Sequence, residues 1–214
     1  MSGAPHSRIV DISVVVRPGT PEWPGDTPYT CRWTWQIAAG ASVNVSALEM
    51  SPHVGTHADA PLHVRDGWPA SEELNLEAFV GPAIVLGVEG VRAPLEAGAL
   101  MPRLPARVER LLLRTGRSIA YGSFPDAWPA LTPDAVRWLA GRGLRLVGVD
   151  APSVDDRGSK TLDTHRAIFD AGASIIENLD LRAIPDGRYQ LVALPLRVER
   201  LDAAPVRAVL VEAV

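Results

Sequence analysis

The chain has 214 residues, 47% apolar and 21% charged, with a formal net charge of −4. That is the profile of one soluble globular domain, 1–214, long enough to bury a substantial core. There is no Lys/Arg block to recommend a nucleic-acid or membrane-surface partner, and the only cysteine, Cys31, excludes an intrachain disulfide and a thiolate zinc site.

The N-terminal stretch MSGAPHSRIVDISVVV lacks the basic segment, long apolar run and cleavage site of a secretory leader, and no apolar run reaches bilayer-spanning length. A cytoplasmic location is expected. Residues 8–16 read as a strand. Residues 17–29 carry four prolines and two glycines and read as an ordered loop. TCRWTWQI (30–37) alternates, with Cys31, Trp33, Trp35 and Ile37 on one face, and 42–50 is a further strand candidate.

Beyond residue 64, a short helical turn is expected over 72–79, then strands at 82–88 and 110–115. TPDAVRWLAGRG (132–143) is a helix with Thr132 as N-cap, Pro133 at the first helical position and Gly141 or Gly143 as the stop. A strand follows at 144–150. A second helix starts with Asp163 or Thr164 as N-cap and stops at Gly172, and strands close the chain at 190–194 and 206–212. The sum is a strand-rich α/β fold with few helices and no regular βαβ alternation.

Residues 50–64, MSPHVGTHADAPLHV, hold three of the five histidines. Pro52, Gly55 and Pro61 argue against a helix. In an extended chain His53, His57, Asp59 and His63 share one face, and Val54, Thr56, Ala58, Ala60 and Leu62 the other. A flat strand would set His53 and His57 about 13 Å apart, too far for two bonds of about 2 Å to one ion. A bend near Gly55 is therefore predicted. Imidazole with carboxylate suits zinc, manganese or iron.

HVGTHADAPLH also matches the H-x-G-T-H-x-D-x-P-x-H signature of the metal-dependent cyclase-like hydrolases. Within them the chain resembles the bacterial kynurenine formamidases (arylformamidases) nearly end to end, through WPGD (23–26), LLLRTG (111–116), VGVDAPSVD (147–155) and HRAIFDAGASIIENLDL (165–181). The resemblance implies a swivelling β/β/α domain, usually a homodimer, with two divalent metal ions, zinc first and manganese or iron open. It implies that His53, His57 and Asp59 hold one ion, that Asp59 and His165 hold the other, and that Glu177 binds one or both. His63 stands at the acid/base position, and Trp23 where the substrate's aromatic part is contacted. The implied reaction is hydrolysis of N-formyl-L-kynurenine to L-kynurenine and formate in tryptophan catabolism.

Rival readings are the opening of a cyclic amide such as isatin, or a non-catalytic metal-binding protein. By themselves, His165 reads equally as a helix-start residue bonded to backbone, Glu177 as a solvated charge and Trp23 as a loop aromatic covering core, while Asp150 ends a buried strand that could reach the site but reads better as a cap or turn former in DAPS. The N-terminal segment and the 17–29 loop are expected against a partner subunit near the site.

Overall fold

The computed structural model describes residues 8–91 and 94–212. In chain order its elements are β1 (Arg8–Asp11), β2 (Thr30–Trp35), β3 (Val45–Glu49), β4 (His57–Asp59), β5 (Val80–Gly87), α1 (Ala97–Leu100), β6 (Arg110–Arg114), α2 (Pro133–Ala140), β7 (Leu146–Val149), α3 (Asp163–Asp170), β8 (Ser174–Glu177), β9 (Gly187–Val192), β10 (Ala203–Pro205) and β11 (Val209–Glu212). Nine strands form one sheet in the order β1-β11-β9-β5-β6-β7-β8-β4-β10, and β2 pairs only with β3. The fold is strand-rich α/β, as expected.

The apolar runs around residues 111 and 147 show no polar alternation because β6, β7 and β8 are buried on both faces. Leu111, Leu113, Val147, Val149 and Ile175 join a core with Val136 and Leu139 of α2 and Ile168 of α3. Leu112, Leu146 and Ile176 join the opposite core with Ile12, Ala58, Leu191 and Leu210. Each such side chain contributes about 1.5–3 kcal/mol on burial. The strands β5 to β8 pair in parallel, joined through α1, α2 and α3, whereas the flanking strands are antiparallel. The expectation of no regular βαβ alternation thus holds for the flanks and fails in the middle, where crossovers as short as the four-residue α1 leave little helical pattern to read.

Thr132 caps α2, its Oγ accepting the Ala135 N–H at 3.1 Å. The turns Ser71–Glu73 and Leu76–Phe79 are 3-10 helices, close to the short helical turn expected there. β1 stops at Asp11 instead of 16, because the Val14 N–H leaves the ladder for the Thr56 side chain at 2.8 Å. WPGD is a tight turn with the Asp26 N–H on the Trp23 carbonyl at 2.9 Å and Gly25 at φ +94, the type II pattern that Pro24 and Gly25 favour. Alternation in β2 ends at a register shift between Trp33 and Trp35, and Ile37 belongs to a 3-10 turn instead. Among the described residues no helix is long and apolar enough to cross a membrane.

Candidate metal centre

The site is built on β4, the short strand between β8 and β10. Period-two alternation sends Ala58 into the core and turns His57 and Asp59 the other way. Register sets His57 opposite Glu177 of β8. Residues 52–56 form a turn rather than the extended stretch first considered, so alternation holds only over 57–59. The predicted bend is there: Gly55 sits at φ +74, and a Cβ on it would stand 2.5 Å from Val16 Cγ2. The turn folds His53 back over His57, with ring centroids 4.8 Å apart. After β4 a 3-10 turn, Pro61–His63, brings His63 to 4.5 Å from the His53 ring.

Three groups of possible ligand atoms result: His53, His57 and Asp59; Asp59, His165 and Glu177; and His53, His63 and Asp202. In the first, His53 Nδ1, His57 Nε2 and Asp59 Oδ1 lie 3.1–3.3 Å from one another. In the second, His165 Nε2 stands 3.2 Å from Asp59 Oδ2 and 3.3 Å from Glu177 Oε1. Glu177 Oε2 is 3.7 Å from His57 Nε2, so both carboxylates extend an oxygen toward each of these two groups. Ligands on a tetrahedral ion at about 2.0–2.1 Å stand roughly 3.3–3.4 Å apart, close to these spacings. Asp59 Oδ1 is buried and forms no hydrogen bond among the described residues, with only the His53 and His57 rings facing it at 3.2 and 3.3 Å, which is costly unless a cation meets it. The donor set and this orphaned oxygen fit divalent ions. His57, Asp59, His165 and Glu177 are all buried, so the reading of Glu177 as a solvated charge fails.

Hydrogen bonds behind the ligands set the ring faces. His57 Nδ1 bonds the Gly55 carbonyl at 2.9 Å, which leaves Nε2 for the site. His165 Nδ1 bonds Asp155 at 2.5 Å. The Val154 N–H donates to Glu177 Oε1 at 2.7 Å. Asp202 Oδ2 lies 3.0 Å from His53 Nε2 and 3.1 Å from His63 Nδ1.

The charges answer to one another. Burial alone pushes the Asp59 carboxyl up, but His57, His165 and His53 hold it well below the ordinary range. Burial pulls His53 down, yet Asp202 and Asp59 raise it to about 10. His165 is likewise pulled down by burial and raised well above the ordinary imidazole value by Asp155, Asp59 and Glu177. His53 and then His63 lower Asp202. Protons on these rings fill the place that cations would take among the carboxylates.

Above the ligands is a cavity of about 320 Å³, within the size range of small-molecule sites. Trp23 and Phe124 wall it, meeting edge-to-face at 5.4 Å, and Lys160 and Arg157 stand at its charged side. Trp128 packs behind Trp23 at 6.2 Å and donates its indole N–H to the Asp155 carbonyl at 2.7 Å. Asp150 lies elsewhere. It accepts the Thr115 N–H at 2.7 Å and the Gly116 N–H at 3.0 Å, so it braces a turn after β6, distant in the chain, and not a turn in its own DAPS segment.

Sequence reasoning missed Asp155, Asp202 and Phe124. Asp155 ends the VGVDAPSVD segment, which was its only signal. It also corrects the start of α3. Neither Asp163 nor Thr164 is the N-cap: Leu162 holds that position in left-handed backbone with no side-chain bond, and Asp155 accepts the Thr164 and His165 N–H groups at 3.0 Å from 9 and 10 residues away.

The Putative cyclase family model matches residues 10–156. The chain is 44% identical to a kynurenine formamidase of Bordetella pertussis over 208 residues, 96% of this chain and 98% of that protein. It is 46% identical to a kynurenine formamidase of Paracidovorax citrulli, covering 94% of each. A solved structure described as a potential metal-dependent hydrolase with cyclase activity superposes with a TM-score of 0.83 at 29% identity, over 96% of this chain and 98% of that one. An isatin hydrolase bound to thioisatinate shares the fold, with a TM-score of 0.83 at 19% identity over 97% of this chain and 93% of that one. A family match over most of the chain, and identity to the two formamidases along nearly all of it, establish that the chain belongs to the cyclase family.

Proposed function

We propose that this chain is a metal-dependent amidohydrolase that cleaves N-formyl-L-kynurenine to L-kynurenine and formate. The observation that carries the reading is the sharing of Asp59 between two ligand groups, with Glu177 of the second 3.7 Å from His57 of the first, at the foot of an aromatic-walled cavity. Near-full-length similarity to kynurenine formamidases supports the substrate. His53, His57 and Asp59 would hold one divalent ion, and Asp59, His165 and Glu177 the other, with Glu177 also reaching the first. Imidazole and carboxylate donors without thiolate leave zinc, manganese and iron open, and the family resemblance leans to zinc. Such ions supply Lewis acidity and bring the pKa of a water toward about 7.

The chain's own groups do the rest. His63 Nδ1 faces Asp202, so Nε2 is the nitrogen that takes a proton from the attacking water and returns one to the departing aryl amine. His63 lies at the edge of both ligand groups, its ring 5.7 Å from that of His165. The Trp23–Phe124 corner receives the aryl ring, which orients the anilide bond over the ligands.

A homodimer is also proposed. The β2–β3 ribbon presents Trp33, Trp35 and Leu48, and the 3-10 turn after β2 presents Ile37, each more than half exposed. A two-stranded ribbon is marginal alone, and an apolar patch of this kind fits a second copy of the chain.

The deciding experiment is turnover on metal-analysed protein before and after chelation, with formylkynurenine and isatin compared by absorbance. The expected result is hydrolysis of the formanilide, lost on chelation and restored by zinc. A fully metallated protein that releases no kynurenine sinks the reading.

A further inference from the structure

We infer that Asp202 is a positioning residue that couples the metal ligands to the acid/base group: its Oδ2 takes the Nε2–H of His53 and the Nδ1–H of His63, and so presents His53 Nδ1 and His63 Nε2 to the reaction centre as bare lone pairs. The inference rests on the proposed roles of His53 and His63. Its own content is that one carboxylate sets both.

The geometry is specific. One oxygen lies 3.0 Å from His53 Nε2 and 3.1 Å from His63 Nδ1. A neutral imidazole carries one N–H, and whichever nitrogen donates leaves the other as acceptor. His53 faces a choice. Its Nδ1 stands 3.2 Å from Asp59 Oδ1, so without Asp202 the proton would move to that side and close the ligand group. Asp202 draws it to the opposite nitrogen. His63 has no second carboxylate to choose, and among the described residues its Nε2 meets no protein partner, so Asp202 alone decides which nitrogen is basic.

Asp202 is not a loose surface acid. It immediately precedes β10, where Ala203 pairs with Asp59 of β4, and its own carbonyl accepts the Ala60 N–H at 2.8 Å. The preceding residues are fastened as well: the Leu201 carbonyl accepts the Ser71 N–H at 2.9 Å, and the Arg200 N–H donates to Glu72 at 3.0 Å. The carboxylate is therefore carried on a fixed stretch of backbone. Its side chain is 42% exposed, so truncation removes no buried charge and leaves these backbone anchors in place.

The test is Asp202→Ala, compared with the parent in three measurements. The first is ¹⁵N NMR of histidine in zinc-loaded protein, at a pH where His63 is neutral. The parent should show His63 as the Nδ1–H tautomer, and the variant should lose that preference. The second is zinc affinity by chelator competition, expected to fall about 10- to 100-fold, the range for losing a carboxylate behind a ligating histidine. The third is turnover at saturating zinc, with kcat down at least about tenfold and KM within about twofold. A His63 tautomer unmoved in the variant overturns the inference, and so does a kcat within about twofold of the parent. A zinc-to-protein ratio one lower at saturation would make Asp202 a ligand and overturn it too. Failure of the proposed function registers separately, as a parent that binds zinc and hydrolyses no formanilide. The tautomer and the affinity would still decide the role of Asp202.

Discussion

Asp155 Oδ2 stands 2.5 Å from His165 Nδ1 and also accepts the His165 backbone N–H at 3.0 Å. One carboxylate thus orients a proposed ligand ring and closes the first turn of the helix that carries it. Asp155→Ala should remove both. Loss of a helix cap costs about 1–2 kcal/mol, and loss of a carboxylate behind a ligating histidine costs about 10- to 100-fold in metal affinity. Denaturation of chelated protein reads the first, and metal titration reads the second. A variant normal in both measurements would leave Asp155 without the role its contacts describe.

Asp59 is fully buried and sends one oxygen to each of its two ligand groups. Asp59→Asn keeps the shape but halves the ligating capacity. Metal content should fall to one ion or less per chain, and turnover should vanish with it. Elemental analysis of the purified variant is the check. Two retained ions would refute the shared-carboxylate arrangement.

His63→Ala should behave in the opposite way. The ring lies outside the two groups that share Asp59, and belongs only to the one it forms with His53 and Asp202. The variant should keep its metal and lose roughly 10²–10⁴ in kcat, the usual worth of a positioned acid/base group. Near-normal kcat would remove His63 from the chemistry.

What could be read in the sequence was local. The spacing of His57 and Asp59 survives because β4 really alternates there, and the bend at Gly55 followed from the impossible reach of a flat strand. Thr132 and Pro133 announced α2 through short-range capping. What could not be read depends on distant partners. β8 and β10 have four and three residues, too few for any period to show. Asp202 is separated from His63 by 139 residues and from His53 by 149. Glu177 resembled a solvated charge because nothing beside it in the chain reveals that β4 covers it. The cap of α3 was misplaced because Asp155, not a neighbour, supplies it.

The raised histidines set a pH dependence. A group whose folded pKa lies above its unfolded value stabilises fully below the unfolded value and loses that contribution as pH rises through the folded one. His53 moves from 6.5 to about 10, and His165 moves the same way. Chelated protein should therefore lose stability as pH rises from about 6.5 toward 10, the window set by His53. Zinc must displace these protons, so its apparent affinity should climb over the same window. Thermal melts with and without zinc should draw apart as pH increases. Parallel curves would show that the rings are already neutral at pH 7.

The exposed ribbon yields the remaining test. Trp33 is 56% and Trp35 59% exposed on a two-stranded sheet that no other strand of the described residues joins. If a second copy covers them, replacing both with serine should remove apolar contact without disturbing the main sheet. Sedimentation should then show a dimer for the parent and a monomer for the double variant, with the far-UV spectrum nearly unchanged. The proposed His and carboxylate ligands come from β4, β8, α3 and the turn before β4, none of which belongs to the ribbon. Metal content should therefore persist in the monomer. A parent that sediments as a monomer, tryptophans and all, would assign the ribbon to some other partner.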